Sequence, residues 1–546
     1  MNHNMNYRKL FLFLCLLPLI AGAQNITGRI TCDGRGIKGV AVSDGDVVTT
    51  TDKDGHYALE SKKRNGYVFY SIPRGYEAEI ANGFNPQFWQ TLTSPSTAVA
   101  EQHDFRLRKV RNNEFRFLIG TDVHLARRVD DVNQFRRLFI PCLAKECEAA
   151  GGAPIYSMML GDLAWDIYWT QNDFNLQDFQ NALRESGYDV PLFPVMGNHD
   201  NDPSVSPTPQ TDFLSSGPWR KIMCPNYYSY NLGRVHVVVL DDIVYKNEDT
   251  GAKYAKGVVG SRNYDGVITD EQFEWLRQDL ALVSRNTPII IGLHIPTTKI
   301  RPDDFAVKSR LGRNSTERLF EMLKHYKTVH IVSGHTHINA DAHPEGYPNI
   351  MEHNLAAVCA TWWNSGLYTG RHLCTDGTPG GYSLWTVKGC KLRWQYHSME
   401  ENGNLQMRVL DMNAVRDFYR NTPAIKEFLT TYPDRTDYGK VEPNMIYVNV
   451  FAYDTNWKVE VFEDGKPLSV TRERAEDPMH TLAFDLPAFI KTGSSGSGSQ
   501  TRKSLHMFVA QAHSEFTPVK VRVTDAFGQV YTSELRRPGK FDLSVW

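Results

Sequence analysis

Apolar and polar positions change rhythm three times along this chain. From Asn25 to about Leu107, short alternating runs (Ile26–Thr31, Gly39–Ser43, Val47–Thr51, Tyr57–Leu59) are punctuated by Asp44-Gly45 and Asp54-Gly55, dipeptides suited to hairpin turns. This pattern predicts a small β-sandwich. After the polar stretch Val110–Glu114, six apolar runs follow: Phe115–Ile119, Ile155–Leu160, Leu192–Met196, Val235–Leu240, Pro288–Ile291 and Val329–Val332. Helical patterns lie between them, as in Glu271–Leu280, where Phe273, Trp275, Leu276 and Leu280 recur at helical spacing. Apolar strands alternating with helices predict an α/β or α+β domain. Beyond Val387 the pattern is irregular and then β-rich, with strands expected over Met445–Ala452, Trp457–Glu463, Leu505–Ala512 and Val519–Thr524. The run of serine and glycine from Ser494 to Ser499 reads as a flexible insertion.

The expected organisation is a leader at 1–23, an N-terminal β-sandwich at 24–110, a central domain at 111–387 and a C-terminal β-rich domain at 388–546. In the leader, Arg8 and Lys9 precede the apolar run Leu10–Ile20, and Ala21-Gly22-Ala23 offers small residues for cleavage before Gln24. Export to the periplasm or the extracellular space is therefore expected, with no later segment apolar enough to anchor the chain in a bilayer. Within the sandwich, Gly36–Ser43 and Thr51–Tyr57 resemble carboxypeptidase-regulatory-like domains, which implies an accessory role.

Composition narrows the picture further. The chain has 546 residues, 41% hydrophobic and 22% charged, with a net charge of -2, so several domains with large cores are expected. A charge this balanced points away from a nucleic-acid polymer as partner. Apart from Cys15 in the leader, seven cysteines are scattered from Cys32 to Cys390. That is no disulfide scaffold; either one or two bridges or buried free thiols would fit.

The chemistry gathers where the central strands end. The first is followed by Asp122 and His124, the second by Gly161-Asp162, the third by Gly197-Asn198-His199-Asp200, the fifth by His294, and the sixth by Gly334-His335-Thr336-His337. In such sheets ligands collect beyond the carboxyl ends of the strands. Asp122 and His124 stand two apart, so extended backbone would send both side chains to one ion. His335 and His337 repeat that spacing, unless a turn sends them to neighbouring ions. The glycines allow close approach. A shell of carboxylate, amide and imidazole suits divalent manganese, zinc or iron.

In that order, D-x-H, G-D, G-N-H-[DE], a lone His and G-H-x-H resemble the motif set of the calcineurin-like metallophosphoesterases, between Asp122 and His337. The resemblance extends to Tyr227–Asp241 and Thr269–Leu276 and covers roughly half the chain. It implies a four-layer αββα domain, flanked by the two β domains, that holds two divalent metal ions. Carried over by position, Asp122, His124 and His337 would bind the first ion, Asn198, His294 and His335 the second, and Asp162 would bridge them. His199 would hydrogen-bond the phosphate or protonate the leaving group. The implied reaction is hydrolysis of a phosphate mono- or diester on a small phosphorylated substrate, by a hydroxide bridging the metals. The alternative is a non-catalytic, metal-containing glycan-binding or adhesion protein of the cell envelope.

Position 165 departs from two branches of that family. Purple acid phosphatases carry a tyrosine there and protein serine/threonine phosphatases an aspartate that orients the catalytic histidine; this chain has Trp165. No tyrosinate–iron colour is expected, and Asp166, one residue late, either substitutes for that aspartate or does not. Trp362 and Trp363 would stack on a sugar or base, or wedge the C-terminal domain against the central one. Arg127 and Arg128 would steer phosphate, or simply begin a helix.

Overall fold

The computed structural model describes residues 24–251, 256–400, 405–495 and 498–541. The expected leader lies outside the described residues, as does part of the serine–glycine insertion.

Eleven strands of the central domain, numbered within it, form two sheets. The first comprises β1 (Glu114–Gly120), β2 (Ile155–Leu160), β3 (Leu192–Val195), β10 (Gly381–Lys388) and β11 (Lys391–Ser398), in the order β3-β2-β1-β10-β11. The second comprises β4 (Tyr228–Leu232), β5 (Val235–Val239), β6 (Ile289–Gly292), β7 (Val329–Ser333), β8 (Ala340–Ala342) and β9 (Ile350–Asn354), in the order β4-β5-β6-β7-β9-β8. The inner strands β1 to β3 run parallel, as do β5, β6, β7 and β9. Both faces of these strands are covered, so β2, β3, β5 and β6 are almost wholly apolar, while β9 buries Glu352, His353 and Asn354. The sheets pack face to face: a Cβ on Gly292 of β6 would lie 2.8 Å from the Met158 sulfur of β2.

Helices cover the outer faces, completing the αββα layers. On one side α1 (Asp131–Ala149) turns Phe135 and Phe139 inward, with Phe139 against Tyr188 and Tyr382. On the other, α3 (Asp270–Leu280) buries Phe273, Trp275, Leu276 and Leu280, the four residues picked out by their spacing. Burial of a large apolar side chain contributes about 1.5–3 kcal/mol. Its start is set by Thr269, whose side chain accepts from the Gln272 amide. The helix α2 (Leu176–Glu185) begins in the same way, with a capping box between Asn175 and Asp178.

The N-terminal sandwich consists of two sheets, built on Ile26–Cys32 and on Tyr67–Tyr70. It docks through Phe69 against Trp275 and the Tyr227 hydroxyl on the Gly45 carbonyl at 2.9 Å. The C-terminal domain has two four-stranded sheets, centred on Met445–Val450 and Lys458–Glu463. It also contains helices, Met412–Asn421, Pro423–Thr431 and Leu486–Thr492, in the stretch whose pattern is irregular. In the first, Met412, Val415 and Tyr419 share a buried stripe, but Arg416 and Asp417 between them and Arg420 after them dilute the apolar signal.

The expected boundary at residue 387 needs correction. Residue 387 lies inside a hairpin in which β11 pairs with β10 along its whole length, so the first sheet continues to Ser398. All seven cysteines among the described residues are free thiols. No helix among these residues is long and apolar enough to cross a membrane.

Candidate metal centre

Strand register brings the motif-bearing turns together. Gly120 lies opposite Met159, Leu160 opposite Val195, and Gly292 opposite Val332, so the turns after β1, β2, β3, β6 and β7 leave one edge of the double sheet. Hydrogen bonds lace that edge across the two sheets. His294 Nδ1 donates to the Leu160 carbonyl at 2.7 Å, and the His335 amide donates to Asp122 Oδ2 at 2.8 Å. Asp200 accepts from the Leu163, Ala164 and Gly197 amides at 2.9–3.1 Å, tying the second motif to the third.

The backbone at the ligands corrects the expectation of extended chain. Asp122 and His124 have φ of 52° and 46°, and Asp162, His335 and His337 have 51°, 68° and 57°. All five are left-handed, a conformation that aspartate and histidine adopt more readily than most β-carbon-bearing residues. What turns Asp122 and His124 to one point is therefore a coiled turn, held by the His124 amide on the Asp162 carbonyl at 2.9 Å, and not strand alternation. Gly334 is required by contact: a Cβ there would lie 1.7 Å from Thr121 Oγ1 and 2.6 Å from Asp122 Oδ2.

Seven side chains converge into two donor sets that share one oxygen. In the first set, Asp122 Oδ1 is 3.2 Å from His337 Nε2 and 3.8 Å from His124 Nε2, while His124 Nε2 is 3.5 Å from Asp162 Oδ2. In the second, His294 Nε2 is 3.3 Å from the same Asp162 Oδ2, 3.1 Å from Asn198 Oδ1 and 3.2 Å from His335 Nδ1. The Asp122 carboxylate is buried, and its Oδ1 has no hydrogen-bond partner. His294 and His337 use Nδ1 to reach backbone carbonyls, Leu160 and Ala360, which leaves their Nε2 atoms facing the centre.

Lone pairs and carboxylate oxygens this close repel one another unless a cation lies among them, and this arrangement fits divalent metal ions. Charge balance agrees. Burial opposes ionisation of Asp122, yet the surrounding imidazoles hold it well below the usual carboxylate range. Burial also opposes charge on His294, but Asp162 and Asp122 outweigh it and push its pKa up to about 10; the carboxylates thus favour positive charge at this point, and a metal ion held by His294 would take the place of the Nε2 proton. His124 and His335 are driven down by burial, to about 4 and about 3, so both are neutral donors at pH 7.

Beside this cluster, His199 is held by two further residues. Asp166 Oδ1 accepts from His199 Nδ1 at 2.8 Å, and Arg262 binds both Asp166 oxygens at 2.6 and 2.7 Å while its Nη2 lies 2.7 Å from His199 Nδ1. Asp166 therefore reaches the histidine despite its shifted position, because a short helical turn over Asp166–Tyr168 redirects the chain just after Trp165. Arg262 was invisible in the sequence. It comes from a turn-rich stretch without a motif, and its left-handed backbone (φ 60°) is pinned by the buried Asn247 at 3.0 Å.

The residues expected to contact substrate divide. Trp363 is fully buried and donates Nε1 to the Val123 carbonyl at 2.8 Å, so it packs the interior and cannot meet a ligand. Arg127 lies on the surface over Phe174 and donates to the Asp173 carbonyl at 3.1 Å, away from the donor cluster. Arg128 donates to the Trp362 carbonyl at 3.1 Å and lies 4.9 Å over the Trp165 ring, where it braces aromatic walls. Trp362 stays half-buried with its ring 4.5 Å from that of His337. Cys359 also approaches, its sulfur 3.8 Å from His337 Nδ1, and burial raises its thiol pKa well above the usual value.

Comparison with known proteins places this arrangement. Residues 115–339 match the family profile described as Calcineurin-like phosphoesterase, 24–110 the profile for its N terminal part and 352–531 the profile for its C terminal part. Serine/threonine-protein phosphatase CPPED1 of Danio rerio is 25% identical over 205 residues, which are 36% of this chain and 59% of that relative. The chain thus spans under two thirds of its length. Among solved structures, a dimetal phosphatase from Danio rerio is 15% identical with a TM-score of 0.34, covering 53% of this chain and 97% of that one. Purple acid phosphatase PPD1 from yellow lupin (Lupinus luteus) is 12% identical with a TM-score of 0.36, covering 67% and 72%. With its three family profiles together spanning most of its length, this chain belongs to the calcineurin-like phosphoesterases.

Proposed function

We propose that the chain hydrolyses a phosphate mono- or diester with two divalent cations, manganese, zinc or iron. The observation that carries this reading is the single oxygen, Asp162 Oδ2, that lies 3.5 Å from His124 and 3.3 Å from His294 and so belongs to both donor sets. Asp122, His124 and His337 would hold one ion with Asp162; Asn198, His294 and His335 would hold the other. When bound, such a pair polarises the phosphoryl group and lowers the pKa of a nearby water.

The chain's own residues do the rest. The Leu160 and Ala360 carbonyls fix the tautomers of His294 and His337. His199 presents Nε2 to the phosphate or the leaving oxygen, because Nδ1 is occupied by Asp166. Asp166, held below the usual carboxylate range despite its burial by His199 and Arg262, keeps that ring oriented. The Asp162 amide neighbourhood completes the frame, since the His199 amide donates to Asp162 Oδ1 at 2.8 Å.

Asp162→Asn and His335→Ala test the reading directly. Each is expected to lower hydrolysis of an aryl phosphate in added manganese by at least about a hundredfold, with circular dichroism unchanged and bound metal reduced on elemental analysis. Full activity in either variant would overturn it. The apolar leader supports export as well: the mature protein is expected to begin at Gln24 in the periplasmic or culture fraction, and recovery of the chain only inside the cell with Met1 intact would refute that part.

A further inference from the structure

The loop after β9 carries adjacent tryptophans with opposite fates. Trp363 goes into the interior, while Trp362 stands beside the donor cluster, its ring 4.5 Å from His337, 6.5 Å from His124 and 6.4 Å from Trp165, with the two indole planes 29° apart. Trp165 in turn lies 5.0 Å from His124 and 5.9 Å from His199. Both indoles remain partly open to solvent. Together they make a flat apolar wall on the His124 and His337 side of the cluster.

The chain is forced to present that wall. Ala360, Trp362 and Trp363 have φ of 49°, 47° and 64°, left-handed values that are unfavourable for bulky residues and persist only where the surroundings impose them. On one side Arg128 holds the Trp362 carbonyl and covers Trp165, as described above. On the other, the C-terminal domain grips the loop. His480 Nε2 lies 2.9 Å from Thr361 Oγ1, His506 Nε2 is 3.0 Å from Asp376 Oδ2, and Arg408 donates to the Gly377 carbonyl at 2.6 Å. This anchoring fixes an indole that packs against His337 and stays partly open to solvent.

We propose that Trp362, backed by Trp165, is the surface on which a ring of the substrate's leaving group stacks, so that the favoured substrates carry a sugar or heteroaromatic ring close to the phosphate. This rests on the phosphoesterase reading above and adds a substrate class to it. Both kinds of ring offer the same chemistry to an indole, a flat face of polarised C–H or π surface. The C-terminal domain then acts through His480 and Thr361 as the support that positions Trp362.

The metal-loaded full chain would be compared with Trp362→Leu and Trp362→Phe on phenyl phosphate, a nucleoside 5′-monophosphate, glucose 6-phosphate and glycerol 3-phosphate. Trp362→Leu keeps an apolar side chain and removes the flat face. It is expected to lower kcat/KM on at least one ring-bearing class tenfold or more beyond its effect on glycerol 3-phosphate, and Trp362→Phe is expected to restore most of the difference. The arms separate a sugar from an aromatic ring. Equal losses on ring-bearing and acyclic esters would overturn the proposal. Calorimetric binding of phenylphosphonate against methylphosphonate gives a readout independent of turnover: preference for the phenyl compound that vanishes in Trp362→Leu supports the wall, and equal binding refutes it. Absence of turnover on every ester by the unsubstituted protein would instead sink the phosphoesterase reading, leaving calorimetry to decide on the ring.

Discussion

Asp166 is held from two directions, by His199 and by both arms of the Arg262 guanidinium, and this determines what its loss would do. Asp166→Asn keeps the shape and removes the charge that orients the imidazole. It is expected to lower kcat by about 10- to 100-fold with bound metal unchanged, as steady-state kinetics and elemental analysis would show; loss of metal would contradict a role confined to His199. Gly334 has no tolerance of that kind. A β-carbon there meets Thr121 and Asp122 directly, so Gly334→Ala is expected to lower the melting temperature by several degrees and to weaken metal retention. At this scale the side chains of the candidate metal centre were legible because each sits in a compact motif. Asp166 was ambiguous because one residue of offset cannot be resolved without the helical turn that absorbs it. Arg262 was unreadable, since nothing local distinguishes an arginine aimed at a site formed by distant segments.

At the scale of elements, the six central strands were legible because burial on both faces leaves near-continuous apolar runs. The turns that follow them were located for the same reason. Their conformation was not, since Asp122 and His124 reach a common point through left-handed turns that residue spacing alone does not reveal. The N-terminal sandwich offers a test of local electrostatics. Burial opposes ionisation of Glu101, but the Lys63 ammonium at 2.5 Å and donors from Thr93 and Ser94 bring its pKa down to about 2 from an ordinary value of 4.5. A depressed carboxylate contributes its full stabilisation above the unfolded pKa and loses it as pH falls towards the folded one. Thermal unfolding monitored from pH 6 to pH 2 is therefore expected to show a stability loss beginning near pH 4.5, and Lys63→Met is expected to flatten it. An unchanged slope in Lys63→Met would show that the lysine is not the cause.

At the scale of the whole molecule, the three regions are joined by polar groups as well as by apolar faces. Arg408 and Asp477 form a fully buried ion pair at 2.6 Å, and the same guanidinium nitrogen holds the Gly377 carbonyl. Breaking a buried pair from one side leaves an uncompensated charge, at a cost of about 3–5 kcal/mol. Asp477→Ala is expected to reduce unfolding free energy by that amount, measured by chemical denaturation, and to loosen the loop that carries Trp362. That the C-terminal region was β-rich could be read from its strands. That it grips the loop carrying Trp362 could not, because His480, His506 and Arg408 look like ordinary surface residues until the fold buries them.

One further consequence lies in the order in which the chain is made. The central strand β1 is synthesised early, but its antiparallel neighbour β10 lies at Gly381–Lys388, after every motif of the candidate metal centre has emerged. Until then β1 has an open edge on one side, and its sheet cannot close. Pairings so distant in sequence form slowly and leave apolar strands exposed in the meantime. The chain is thus expected to gain its catalytic domain late, as a single event that joins its two ends, and to refold slowly from denaturant with aggregation competing at high concentration.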